Sequence, residues 1–151
     1  VTSNNGVSVS YPEGWLDPVA TVGVFLYNNA DGQSTMNFMR SRPGGLAFQI
    51  NVQPNSSNQT PEEFFDFMFG NLASGMSITL GEKQAVTLGD AAGLKASGAN
   101  TDAASRIAIF VAIKPVSDTH YATMVVYLEP DEIETHTPLM EAILASVTYA
   151  P

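Results

Sequence analysis

The segment Val7–Trp15, VSVSYPEGW, joins a short alternating strand to a Tyr-Pro turn and to Trp15, the only tryptophan of the chain. Val7, Val9 and Tyr11 alternate with Ser8 and Ser10, the period of two that gives a strand one buried face. Pro12, which has no N–H to donate, ends it. Outward from there, a second strand is expected over Thr21 to Tyr27, then the turn Asn28-Asn29-Ala30-Asp31-Gly32, then a third strand near Thr35 to Arg40. Asn29, Asp31 and Gly32 echo part of a calcium loop, but Tyr27 stands at its first ligand position and the closing Glu is missing, so a β-turn is expected. Pro43-Gly44-Gly45 supplies the next reversal.

Leu46, Phe48, Ile50 and Val52 alternate with Ala47, Gln49 and Asn51, the clearest strand signal of the chain, and Pro54 closes it. Thr60-Pro61-Glu62-Glu63 then provides an N-cap, a proline at the first helical position and a Glu placed to complete a capping box. A helix is predicted from Pro61 to about Ser74, with Glu62 and Glu63 complementing its macrodipole rather than serving as an acid–base pair. Further strands are predicted at Gln84 to Leu88, Leu94 to Gly98, Arg106 to Ile113 and Tyr121 to Leu128. Their short connections favour antiparallel neighbours, because a parallel crossover needs a dozen or more residues. Ile107–Ile113 is apolar on both faces and Ala122–Leu128 nearly so, which marks them as central strands covered on two sides. Leu139, Met140, Ile143, Leu144 and Val147 recur at helical spacing, with Pro138 suited to the first turn of a closing helix.

At 151 residues the chain fits a single domain over 1–151, and its 44% hydrophobic content is far from the signature of disorder. Fifteen acidic against six basic side chains give a net charge of −9, and every basic residue lies between Arg40 and Lys114. Nucleic acid and anionic lipid, both bound through Lys and Arg, are poor partners for such a surface. Charged residues are only 14% of the chain, so its surface leans on Asn, Gln, Ser, Thr and Gly, a composition common outside the cytoplasm. No segment approaches the roughly 18 apolar residues of a membrane span. Thr2-Ser3-Asn4-Asn5-Gly6 reads as the remnant of a linker, residues 1–6 in all, with a signal peptide or lipid anchor expected upstream.

In order, a strand ending Tyr-Pro-x-x-Trp, a hairpin-rich section, Thr-Pro-Glu-Glu opening an aromatic helix, a meander, and a closing helix ending Ile143-Leu144-Ala145-Ser146-Val147 resemble the PsbP-like superfamily. That superfamily includes the extrinsic PsbP subunit of photosystem II, a Ran-binding nuclear transport factor and bacterial envelope lipoproteins. Tyr11, Pro12 and Trp15 match its opening motif, Gly89 and Gly93 a glycine-bearing hairpin, and Ile143, Leu144 and Ser146 its closing helix. The resemblance implies an α+β fold, a largely antiparallel sheet flanked by helices on both faces in an α/β/α sandwich. It implies a binding or assembly role only by analogy. No manganese, calcium, chloride or Ran-contact residue carries over, and no cofactor is expected.

Chemistry candidates are few. The two histidines follow a carboxylate by two residues, in Asp118-Thr119-His120 and Glu134-Thr135-His136, half of a metal site each. Joining them is opposed by distance: the strand between spans roughly 30 Å, and the return along a helix recovers only about 7 to 9 Å. Two surface loop histidines are expected instead. No Gly-x-Ser-x-Gly elbow is present, and the absence of Cys excludes cysteine catalysis. Gly89 to Lys95 has the wrong spacing for a phosphate loop and reads as a tight hairpin.

Two local features stand out. Phe64, Phe65, Phe67 and Phe69 are four of the eight phenylalanines; Phe64, Phe65, Met68, Phe69 and Leu72 cover a helical arc of about 140°, enough for a core. Phe67 widens that arc, so it either tucks under a loop or sheet edge, the simpler expectation, or serves as an aromatic anchor for a partner. Arg40 and Arg42 are two cations at strand spacing in an acidic protein. They read most simply as the guard of an edge strand, and functionally as an anionic ligand site. The expectation is a noncatalytic extracytoplasmic domain, envelope-associated or lipid-anchored, that acts through protein–protein contact using Phe67, Arg40 and Arg42. The alternative is a small-molecule-binding or hydrolytic enzyme with a pocket between a helix layer and the sheet.

Overall fold

A strand that is apolar on both faces has to be covered on both, and two such strands govern the architecture. A computed structural model describes residues 1–151. In chain order it contains β1 (Val7–Ser8), β2 (Val19–Ala20), β3 (Val24–Tyr27), α1 (Ala30–Phe38), β4 (Ala47–Pro54), α2 (Pro61–Gly75), β5 (Gln84–Leu88), β6 (Ala91–Asn100), β7 (Ile107–Pro115), β8 (His120–Leu128), α3 (Ile133–Ala145) and β9 (Thr148–Tyr149). A single 3₁₀ turn, Pro130–Glu132, leads into α3. Seven strands form one antiparallel sheet in the order β2-β3-β4-β8-β7-β6-β5, with β8 and β7 at its centre.

The pleat divides the core in two. Phe48, Val126 and Phe110 are direct cross-strand neighbours, and with Ile50, Met124 and Ala112 they pack against Met140, Ile143 and Leu144 of α3. On the opposite face, Ile107, Ile109, Val111 and Ile113 meet Phe64, Phe65, Phe69 and Ala73 of α2. The shorter α1 lies on that same face, over β3, β4 and β8. This is the α+β sandwich expected from the sequence, with helices on both sides of a largely antiparallel sheet.

The opening and closing motifs meet in space. Trp15 lies between Tyr11 and Phe48, with ring centroids 6.4 and 5.5 Å away. The Ser10 amide donates to Ser146 Oγ at 3.0 Å, tying the strand exit to the end of α3. Gly89-Asp90 forms the expected two-residue hairpin, with Leu88 paired to Ala91.

Five expectations need correction. Residues Thr35 to Arg40 are not a strand, because helix α1 occupies Ala30–Phe38. Its N-cap is Asn29, whose side chain accepts from the Gly32 amide at 3.0 Å, so the Asn-Asp-Gly segment starts a helix rather than making an isolated turn. A Cβ on Gly32 would stand 2.3 Å from the Leu46 carbonyl oxygen; only glycine lets α1 press this closely on the chain entering β4. Pro138 lies inside α3, not in its first turn. The Glu134 carbonyl that loses its donor belongs to an exposed residue, so solvent is available to take the place of the missing N–H. Neither histidine is a loop residue: His136 lies within α3 and His120 opens β8. Residues 1–6 pack onto the fold rather than standing off as a linker: Ser3 N donates to Val7 O and Asn4 N to Thr21 O, at 2.8 Å each, and Ser3 is buried. They lead into β1, which pairs with β9, and Val7 and Val9 are buried in the core they share with α3.

The capping box of α2 is complete. Glu63 N donates to Thr60 Oγ1 at 3.2 Å and Thr60 N to Glu63 Oε1 at 3.0 Å. The Thr60 backbone N–H, and then its hydroxyl, hold the Glu63 carboxyl below its ordinary value. The Glu63 contribution is therefore present above the unfolded value and lost as pH falls through the lowered folded one. Thr60→Ala is expected to cost about 1 kcal/mol in urea denaturation at neutral pH. Glu63→Gln is expected to lose stability at neutral pH and to converge on wild type in acid.

Candidate functional site

The α1–β4 loop, residues 39–46, is fixed by groups from the far end of the sheet. Ser41 is its buried anchor: its amide donates to the Arg106 carbonyl at 2.8 Å, and its hydroxyl lies 3.0 Å from that carbonyl and 2.8 Å from Glu129 Oε2. Arg106 Nε donates to the other oxygen of the same carboxylate, and Nη2 reaches Asp131 at 3.1 Å. The Glu129 hydrogen bond, with the nearby acids, holds the guanidinium charged, raising its pKa further. Three residues on, both oxygens of Glu132 accept from the Gly44 amide, at 3.0 and 3.1 Å. Asn28 closes the clamp, donating to Gly44 O at 2.8 Å and accepting from Leu46 N at 2.7 Å.

What this clamp displays is a mixed apolar and basic surface. Phe38, the last residue of α1, is 75% exposed. Met39 follows in the left-handed region at φ 50°, a conformation that costs a non-glycine residue of order 1 kcal/mol or more and persists only where neighbours enforce it. Arg40 and Arg42 project beyond, both exposed. Together with Asp31, Ser34, Ser41 and Pro43 they line an open depression of about 560 Å³. Arg40 and Arg42 therefore do not guard an edge strand; they belong to a loop held by hydrogen bonds at Ser41, Gly44 and Leu46. Sequence reasoning missed Phe38, because a strand assignment hides its position. At about 100° per residue on a helix, Phe38 falls well off the face of Gly32, Thr35 and Met36 that meets the sheet.

Phe67 is 70% exposed on the outer face of α2, while Phe64, Phe65 and Phe69 are buried beneath it. It does not tuck under a loop: the inner arc is already filled by the other three rings. Phe64 stacks on Tyr121 at 4.6 Å, at the end of the sheet where Tyr121 pairs with Pro115. The Arg40 loop is anchored at the opposite end, beside Arg106 and Glu129, and about 25 Å of strand separates the two ends. The structure thus joins Arg40 and Arg42 to Phe38 and leaves Phe67 as a separate feature.

The histidines have separate surroundings. His120 Nδ1 lies 2.8 Å from Thr119 Oγ1 and its ring 5.0 Å from that of Tyr149. His136 Nε2 lies 3.5 Å from Glu132 Oε1, one turn earlier at the start of α3. A groove of about 220 Å³ does run between α2 and the sheet, lined by Gln49, Asn51, Gln53, Met68, Leu72 and Thr123 among others. Its polar groups are amides, one threonine hydroxyl and the Tyr127 phenol, whose pKa burial raises. Elsewhere, buried Lys114 donates to Ala145 O and Val147 O at 2.8 Å each. Its ammonium closes the carbonyl end of α3, although burial lowers its pKa.

The seven-stranded antiparallel sheet with helices on both faces matches PsbP-like structures in fold. Compared with solved structures, the chain is similar to the cyanobacterial PsbP, CyanoP, of Synechocystis sp. PCC 6803, with a TM-score of 0.60 at 12% identity over 99% of this chain and 91% of that one. It is similar to LpqN, involved in cell envelope biogenesis of Mycobacterium tuberculosis, with a TM-score of 0.55 at 12% identity over 96% and 83%. The Saccharomyces cerevisiae Ran-binding protein Mog1p gives a TM-score of 0.56 at 12% identity over 93% and 81%. No family model and no curated protein sequence matches the chain. At these identities the likeness is one of fold.

If Glu132 holds the loop as described, Glu132→Ala removes both acceptors of the Gly44 amide. Its hydrogen exchange is expected to speed up by about tenfold, a typical worth for a charge-assisted bond, while the amides of β7 keep wild-type rates.

Proposed function

We propose that this chain is a noncatalytic binding or assembly domain that acts through protein–protein contact, from an extracytoplasmic, envelope-associated or lipid-anchored protein. The observation that carries this reading is Phe67: a large aromatic side chain held in the open on a well-capped helix whose other phenylalanines already fill the core. Its exposure contributes nothing to folding, and exposed aromatic anchors are what interface hot spots use. The fold adds support by analogy, since PsbP-like structures include an envelope-biogenesis protein and a Ran-binding protein. The placement outside the cytoplasm rests on the lightly charged acidic surface and on that same analogy. No helix of these 151 residues is long and apolar enough to cross a membrane.

Chemical crosslinking in the native host followed by pull-down, with wild type and Phe67→Ala, tests it. Because Phe67 is exposed, the variant is expected to melt like wild type and to lose a partner that wild type captures. Repeated capture of nothing from native envelope, together with measurable turnover of any substrate, would overturn the proposal in favour of an enzyme using the groove beside α2.

A further inference from the structure

Charge accounting singles out one place on this acidic chain. Lys83 is paired with Asp66 at 2.8 Å, Lys95 with Glu141 at 3.3 Å, and Arg106 with Glu129 and Asp131. Lys114 is consumed by backbone carbonyls. Of six basic residues, that leaves the two of the α1–β4 loop. Arg42 has only a long, exposed contact with Asp31 at 3.9 Å, a type worth little in water. Arg40 has no ion-pair partner at all.

Beside these free guanidinium groups stand Phe38 and Met39, the only adjacent pair among the exposed large hydrophobic residues. The fold gains nothing from this display and strains one backbone position, at Met39, to make it. The clamp through Ser41, Gly44 and Asn28 fixes the loop before any ligand arrives, so little ordering entropy remains to be lost on binding. Planar guanidinium groups bind carboxylates bidentately, and an aromatic side chain at their edge offers an apolar contact that a simple anion cannot use.

We infer that the depression formed by Phe38, Arg40, Arg42 and Pro43 is a docking site for an acidic segment of a protein partner, one carrying carboxylates for the two arginines and an apolar side chain for Phe38. This rests on the reading of the chain as a protein-binding domain, and names the partner chemistry and a second contact surface, distant from Phe67. Two arginines are too few for nucleic acid or an anionic membrane on a chain of net charge −9. A second copy of the chain would bring that same net charge, which opposes self-association.

The test is a titration of the ¹⁵N-labelled 151-residue chain with a random glutamate–tyrosine copolymer, followed by amide shifts, with inorganic phosphate in parallel. Saturating shifts confined to residues 38–45 are expected. They should weaken by about tenfold or more in Arg40→Glu/Arg42→Glu, as expected when charge complementarity is reversed, and by a smaller factor in Phe38→Ala. All three residues are exposed, so unchanged melting curves are expected to confirm folding, and Arg40→Gln/Arg42→Gln offers a milder variant if reversal disturbs the loop. No shifts, shifts elsewhere, equal binding by the charge-reversed variant, or the same shifts from phosphate alone would overturn the inference. Native capture that depends on Phe67 is read separately, so this site can fail while the binding function stands.

Discussion

Burial of β7 and β8 on both faces is the constraint from which the rest of the structure follows. Ile109, Val111 and Ile113 on one side and Phe110, Ala112 and Met124 on the other are almost wholly removed from water, each large one worth roughly 1.5–3 kcal/mol relative to exposure. No single helix layer can cover both faces. One side recruits α3 and the Trp15 corner, the other α2 and α1. The chain order then fixes which loops fall at which end of the sheet. The α1–β4 loop falls beside Arg106, where β7 begins, and beside Glu129, where β8 has just ended, and these two side chains hold it.

Elements whose formation is encoded locally were legible from sequence. The alternation through Phe48, Ile50 and Val52, the capping box at Thr60 and the doubly apolar strands each carry their own signal, and each forms as expected. Helix α1 carries none of that kind. Its residues show little amphipathic pattern, and what makes it a helix is the Asn29 cap together with the Gly32 contact on Leu46, a partner fourteen residues away. Reading α1 as a strand turns Arg40 and Arg42 into edge guards and hides Phe38. Pro138 is a related case: helix start signals place a proline in the first turn, whereas α3 carries it in the interior, where the residue left without a donor is exposed. Residues 1–6 read as a polar linker because no local pattern announces the Asn4 bond to Thr21, seventeen residues on, or the bond from Ala150 N to the Gly6 carbonyl at the other end of the chain.

The candidate surfaces share a physical character. Each places an aromatic side chain in solvent on a backbone that is otherwise well fixed, Phe67 on a capped helix and Phe38 on a clamped helix end. Rigid display lowers the entropic cost of association, and it distinguishes these residues from apolar side chains exposed for want of anything to cover them. The loop adds charge: in a chain whose other cations are spent on internal acids and carbonyls, Arg40 and Arg42 are the ones left facing outward. Groups suited to catalysis are dispersed by comparison, with His120 at one end of β8 and His136 on α3, beside different neighbours.

The central claim is that the α1–β4 loop is a preformed platform rather than a mobile connection. Backbone ¹⁵N order parameters for residues 38–45 of the free protein test it most directly. The account predicts values near those of β7, about 0.85 as for rigid backbone, whereas values below about 0.6 across Ser41 and Gly44 would contradict it.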